Sequence, residues 1–437
     1  MANSDKLFEL LISLNPWWSG IIPEPGIIRE QYLDRMKKFI ASQEILILNG
    51  VRRSGKTTLL LQLLHEILKT GDVDPKKILF VNFDEPLISS LEDPIDHVLT
   101  RYHSDIYPYE DGYLFFDEIQ QVPGWERWLK ALYDRKKYKI ILSGSSSHLL
   151  ESKTASLLSG RYLQVPVFPL TFPEFLEFSY IKIPKTRIDE VRMKYQLMEQ
   201  VRQYLNVGGF PRIVLEKDPL VQKELLKGYY DSIVSRDIIL NAQVRSVRVM
   251  QDLLYLMFSS LSSPFSYRKL ASHFSIDPAT IREYIGYITD SHLMSELMFF
   301  SYSVRVQNVN AKKIYCIDNG IRNAISFQFS SDTGKLVENS VWIHLNSLGV
   351  PLYYWKGEGE VDFVIKHTDN SLTAMNVTYT NDIPEREIRA LSSFQDVFSE
   401  NIHRLILLTK DTEKKEDGIE YIPLWKWLTG VFYQHKA

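Results

Sequence analysis

Residues 50–57 read Gly50-Val51-Arg52-Arg53-Ser54-Gly55-Lys56-Thr57, between an apolar run, Ile45-Leu46-Ile47-Leu48, and a leucine-rich stretch from Thr58 to Leu68. The apolar run reads as a buried strand and the leucine-rich stretch as a helix, which is the setting a phosphate-binding loop requires. The loop therefore constrains the fold to a strand–loop–helix corner in an α/β domain. Gly50 and Gly55 let the backbone turn so that successive N–H groups face a phosphate. The following helix adds the positive end of its dipole. Lys56 would reach the β- and γ-phosphates, and Thr57 would offer its hydroxyl to Mg²⁺. The residues expected to hold the nucleotide are Gly50, Val51, Arg52, Arg53, Ser54, Gly55, Lys56, Thr57 and Thr58.

A second element completes such a site. Tyr113-Leu114-Phe115-Phe116-Asp117-Glu118 is an apolar strand ending in two carboxylates, about sixty residues beyond the loop. Asp117 is expected to hold Mg²⁺ together with Thr57. Glu118 is expected to polarise the attacking water as a general base. A further strand, Lys139-Ile140-Ile141-Leu142-Ser143, runs into Gly144-Ser145-Ser146-Ser147. Ser145 is the first choice there for sensing the γ-phosphate, with Ser143 next, and a serine-capped turn is the structural alternative.

Composition limits the remaining possibilities. A chain of 437 residues is too long for one core, so several domains are expected. No apolar stretch approaches the ~20 residues of a membrane helix, and no signal peptide is expected. The single cysteine, Cys316, excludes an internal disulfide framework, fits a cytoplasmic setting, and reads as a packed small hydrophobe. With a net charge of −3, any contact with nucleic acid must come from a local basic patch. Zinc is not expected, because paired Cys or clustered His spacing is missing.

Along the chain, residues 1–40 form a lead segment with Trp17 and Trp18, which either pack on the core or stack on adenine. Residues 41–178 alternate strands and helices, with strands at 45–49, 78–83, 113–117, 138–143 and 162–167, which predicts a parallel sheet. Residues 179–248 read as a helical lid, with a sharp corner at Gly208-Gly209-Phe210-Pro211. Residues 249–317 have helix-turn-helix spacing: a helix at 267–274, a turn, and a helix from Pro278 to Asp290. Strands near 293–302 and 312–317, joined by 305–310, would form a wing. Arg268, Lys269, Thr280 and Arg282 are the candidates for double-stranded DNA there, although such modules also dock protein. Residues 318–437 are a further α/β unit.

Taken together, Gly50–Thr57, Phe80-Val81-Asn82-Phe83-Asp84, Phe116-Asp117-Glu118-Ile119-Gln120, Ser143-Gly144-Ser145-Ser146, Leu158-Ser159-Gly160-Arg161 and Gly208-Gly209-Phe210-Pro211 run in the order of a known family. From Ile28 to about Leu428 the chain resembles archaeal and bacterial AAA+-type ATPases that carry a winged helix and a C-terminal domain of uncharacterised function. The resemblance implies a P-loop NTPase sheet with a helical lid, a winged helix and a restriction-endonuclease-like domain. It also implies ATP binding and hydrolysis.

An active nuclease of that fold needs carboxylates for Mg²⁺ and a lysine for water. Glu338 and Asp362 stand in plausible places, but the expected acid-x-lysine is Asn376-Val377-Thr378, so a degenerate nuclease is expected. Arg161, beside Gly160, is a candidate to stabilise the γ-phosphate from its own chain or a neighbour's, and Arg236 is a second. The expected activity is an ATP-driven rearrangement acting on DNA or a protein client. A nucleotide-gated binding module and an ATP-dependent nuclease are the alternatives. The oligomeric state is open.

Overall fold

The computed structural model describes residues 2–145, 157–240, 242, 244–326, 333–380 and 382–430. It divides into two units, Met1–Val167 and Phe168–Ala437.

The first unit is built on five parallel strands: β1 Ile45–Asn49, β2 Ile78–Asn82, β3 Gly112–Asp117, β4 Tyr138–Gly144 and β5 Tyr162–Pro166, in the order β2-β3-β4-β1-β5. Parallel strands buried on both faces read as unbroken apolar runs, and β1 is buried at every position. Its side chains alternate between two cores. Ile45 and Ile47 join one with Leu79, Val81 and Phe116, while Leu46 and Leu48 join the other with Ile78, Phe80 and Phe115. The helix Lys56–Lys69 closes the second core with Leu59, Leu60, Leu63 and Leu64. Trp17 and Trp18 both donate their indole N–H to the Ile78 carbonyl, at 3.1 and 2.9 Å, so the lead segment packs on the sheet.

The second unit holds nine strands in one mixed sheet, ordered β13-β14-β12-β11-β10-β9-β7-β8-β6. They are β6 Pro264–Phe265, β7 Met294–Phe299, β8 Lys312–Cys316, β9 Leu352–Lys356, β10 Glu360–Lys366, β11 Leu372–Val377, β12 Ile402–Thr409, β13 Lys414–Glu416 and β14 Ile419–Pro423. β7 pairs with β9 in parallel, Met298 opposite Tyr353 and Phe299 opposite Tyr354, so the sheet runs unbroken across the border expected between 317 and 318. The two helices of the turn motif, Tyr267–Phe274 and Pro278–Asp290, are present. Ser266 caps the first and Asp277 the second, each accepting a backbone N–H. The connection expected to join the wing strands is helical over Val304–Val309, with Gln307 Nε2 reaching back 2.6 Å to the Ser301 carbonyl.

The glycine corner has a packing cause. The helix Arg187–Val207 stops at Gly208, and a Cβ on Gly209 would meet the Leu170 carbonyl at 2.3 Å. The buried carboxylate of Asp318 accepts the Gly209 N–H at 2.5 Å and the Ile321 N–H at 3.0 Å. Cys316 is fully buried, and burial pushes its thiol up to about 12, as a packed hydrophobe requires.

Candidate active site

The site gathers at the carboxyl ends of β1, β3 and β4, which the parallel register places side by side: Asn49 opposite Gly144, and Asn82 opposite Asp117. β1 leads into the loop, whose backbone is shaped by left-handed residues: Gly50 at φ 152°, Arg53 at 68° and Gly55 at 100°. A Cβ on Gly50 would overlap the Val167 carbonyl at 2.1 Å, so this turn admits only glycine. Val51 and Ser54 are buried, Arg52 is half-buried, and Arg53, Thr57 and Thr58 are exposed.

Lys56 is buried at the first turn of its helix, and its ammonium donates to the carbonyls of Gly50 at 2.9 Å and Val51 at 3.0 Å. The positive charge is thereby folded over the loop. Thr57 Oγ1 donates to Asp117 Oδ2 at 2.8 Å, which joins the loop to the tip of β3. The other Asp117 oxygen accepts from the Ser143 hydroxyl. Asp117 is almost fully buried, and burial raises its carboxyl above the ordinary range, with the charge of Glu118 acting in the same direction. The hydroxyls of Ser143 and Thr57 oppose that shift.

Glu118 sits in a left-handed conformation, φ 53° and ψ 43°. Such backbone is strained for a residue with a side chain. Its N–H donates to Ser143 Oγ at 3.3 Å, and its carboxylate accepts from the amide of Gln120. Gln120 Nε2 also lies 3.2 Å from Ser145 Oγ, so Ser145 comes into the same network. Sequence reasoning assigned no role to Gln120, although it stands within the Phe116–Gln120 motif. It also ranked Ser143 second, whereas Ser143 is the serine bonded to Asp117. Ser146 and Ser147 lie outside the described residues.

The residues present fit a triphosphate with a hard cation. The Ser54 hydroxyl is buried within the loop without a hydrogen-bond partner. The Thr57 and Asp117 oxygens form the donor set such a cation takes.

Arg161 requires a correction. It precedes β5, and its carbonyl accepts the N–H of Ile45 at the start of β1, whereas the loop follows the end of that strand. Four steps of about 3.3 Å separate these ends, about 13 Å, which is beyond the reach of an arginine side chain. Its guanidinium lies instead 3.8 Å from Asp134 and 5.9 Å from the Tyr133 ring. In this structure the Arg161 side chain is therefore not brought to the loop. Arg236 lies in the second unit, in the π-helical segment Ile233–Leu240.

In the second unit Arg268, Lys269 and Arg282 are exposed, while Thr280 is half-buried. Arg282 stacks over Tyr267 at 5.1 Å. Among the described residues, no helix is long and apolar enough to cross a membrane.

Comparison with known proteins places these features in context. An AAA domain matches residues 42–176. Two domains of unknown function, DUF8612 and DUF4143, match residues 198–332 and 333–427. The uncharacterized protein MJ1544 of Methanocaldococcus jannaschii is 31% identical over 403 residues, covering 88% of this chain and 88% of that protein. An uncharacterized protein of Haemophilus influenzae is 27% identical over 411 residues, covering 92% of this chain and 98% of that protein. Among solved structures, the Walker-type ATPase PABY2304 of Pyrococcus abyssi is 16% identical, with a TM-score of 0.43, covering 68% of this chain and 95% of that one. The chain belongs to the same family as the Methanocaldococcus jannaschii protein, and the five-stranded parallel sheet of its first unit lies within the stretch that matches an AAA domain.

Proposed function

We propose that this protein binds and hydrolyses ATP at the loop Gly50–Thr58, and that turnover rearranges the second unit on DNA or a protein client. The observation that carries this reading is the 2.8 Å bond from Thr57 to Asp117, which joins the loop to the strand tip. Backbone N–H groups of the loop and the Lys56 ammonium bind and orient the phosphates. Thr57 and Asp117 would hold Mg²⁺, which would supply positive charge to the bound phosphates. Glu118 takes a proton from the attacking water, and Ser145 reports on the γ-phosphate. Residues 249–317 serve as a winged helix that presents Arg268, Lys269 and Arg282. Residues 318–437 serve as a nuclease-like scaffold in which Asn376-Val377-Thr378 replaces the acid-x-lysine. A cytoplasmic setting fits the single buried Cys316. ATP turnover tests the reading: undiminished hydrolysis in both Lys56→Ala and Glu118→Gln removes it.

A second reading has its own support. The Gln120 amide engages the carboxylate that a general base needs, which favours a nucleotide-gated module that holds ATP and turns it over slowly. Single-turnover hydrolysis with and without DNA separates the two. Under this second reading Gln120→Ala accelerates cleavage.

A further inference from the structure

We propose that the Lys313 ammonium occupies the place of a divalent cation in the second unit, making a latent cation site that the chain closes with its own charge. The proposal concerns the second unit alone and stands whether or not ATP is turned over.

Lys313 lies on β8, between Lys312 and Ile314 in a strand buried at every position, and its side chain is 1% exposed. Its Nζ lies 3.0 Å from Glu338 Oε1, 2.7 Å from Glu360 Oε1 and 3.4 Å from Asp362 Oδ1. Glu338 comes from the helix Thr333–Ser347, and Glu360 and Asp362 from β10. Three carboxylates from two elements thus point their oxygens at one nitrogen. Further bonds fix Glu338 and Asp362 in that pose. Tyr315 OH donates to Glu338 Oε1 at 2.6 Å, and the Val377 N–H donates to Asp362 Oδ2 at 2.9 Å.

A nuclease-like fold implies Mg²⁺ on Glu338 and Asp362. The residues present do not fit it. Mg²⁺ demands oxygens in a near-octahedral shell at about 2.0–2.1 Å, and the centre of this oxygen set is held by an ammonium nitrogen. A catalytic lysine would stand beside the metal and aim at water, whereas Lys313 stands among the ligands. Among the described residues no group of His, Cys, Asp and Glu is arranged to hold a metal ion. The position that would carry a third acid is Asn376, whose amide donates to Glu387 Oε2 at 2.9 Å.

The charge balance explains why the lysine must stay. The neighbouring acids compensate the buried ammonium against the cost of taking its charge out of water. Three carboxylates face this single ammonium, so the acidic groups outnumber the positive charge available. Removing Lys313 leaves them uncompensated, and a divalent cation is the natural replacement.

Mn²⁺ titration of the nucleotide-free full chain, followed by electron paramagnetic resonance, tests the proposal. Wild type, Asp362→Asn and Glu360→Gln are expected to bind the same number of ions. Lys313→Met, which roughly keeps volume, is expected to gain one ion at least about tenfold tighter than any the wild type holds in this unit, and to lose it in Lys313→Met/Asp362→Asn. A Lys313→Met protein that folds only with Mn²⁺ present supports the proposal equally. A folded Lys313→Met that gains no ion overturns it. So does an ion bound by wild type and lost in Asp362→Asn, a comparison that holds even if Lys313→Met does not fold. Mg²⁺-dependent nicking of plasmid by wild type, abolished in Asp362→Ala, overturns it as well.

Discussion

The Thr57 hydroxyl donates to Asp117 Oδ2 across 2.8 Å, although sixty positions separate the two residues in the chain. One residue opens the helix after the loop and the other ends β3, so this contact makes two motifs one site. In Glu118→Gln, nucleotide binding is expected to persist while phosphate release slows by about 10²- to 10⁴-fold, the usual contribution of a general base. Lys56→Ala is expected to lose affinity itself, by roughly ten- to a hundredfold, as a charge-assisted bond to phosphate disappears. Fluorescent-nucleotide titration and phosphate release measured side by side check both outcomes.

Glu118 carries left-handed backbone that only glycine adopts without cost. Glu118→Gly is therefore expected to stabilise the first unit by about 1 kcal/mol while abolishing turnover. Chemical denaturation and an ATPase assay on the same preparation would reveal this opposition. A loss of both stability and activity would mean that the conformation is not strained.

Gly50→Ala tests the loop's shape in the opposite direction. Its Cβ would sit 2.1 Å from the Val167 carbonyl. A destabilisation of at least about 1 kcal/mol is expected, together with lost nucleotide affinity, because the strand end and the phosphate cradle share this turn.

Two buried groups of the second unit should give opposite pH slopes. Burial raises Asp318 from 3.8 to about 6, so the folded state holds its proton more tightly than the unfolded chain. Its stabilisation is complete below pH 4 and is lost as pH rises through 6. Burial lowers His344 from 6.5 to about 4, where its ring packs 4.8 Å from Trp427. Its stabilisation is present above pH 6.5 and is lost as pH falls through 4. Each shift corresponds to about 3 kcal/mol, so in wild type the two largely cancel between pH 4 and 6. Stability is expected to climb with pH in Asp318→Asn and to decline with pH in His344→Phe. Urea midpoints at several pH values measure both slopes.

If duplex DNA is the client, Arg268, Lys269 and Arg282 carry part of the contact with phosphates. Replacing all three with alanine is expected to reduce the slope of log affinity against log salt by about 3. An unchanged slope would direct attention to a protein partner.

The strand–loop–helix corner was legible because its geometry is local. A glycine-framed loop needs its strand and helix at once, and Asp117 ends an apolar strand that could go nowhere but the sheet. The five strands of the first unit were legible for the same reason. Arg161 was legible in position, since the strand expected at 162–167 puts it at the amino end of β5, but the glycine beside it drew attention to the residue rather than to that end. The Lys313 cluster was invisible for a different reason: a lysine inside β8 reads as a solvated interruption until Glu338 and Asp362 arrive from 25 and 49 residues away. The Asp318 bond to Gly209 spans 109 residues, so the glycine corner could be located from sequence but its occupant could not.

The ladder from β7 to β9 has a mechanical corollary. Whatever the paired helices at 267–290 grip, load placed on β7 passes into β9 through the main-chain ladder at Met298–Tyr353 and Phe299–Tyr354. Cutting the polypeptide between 317 and 352 would leave the flank of β7 as a raw seam, ready to stitch onto another molecule, and the severed piece should clump rather than behave as a free-standing reader of its target.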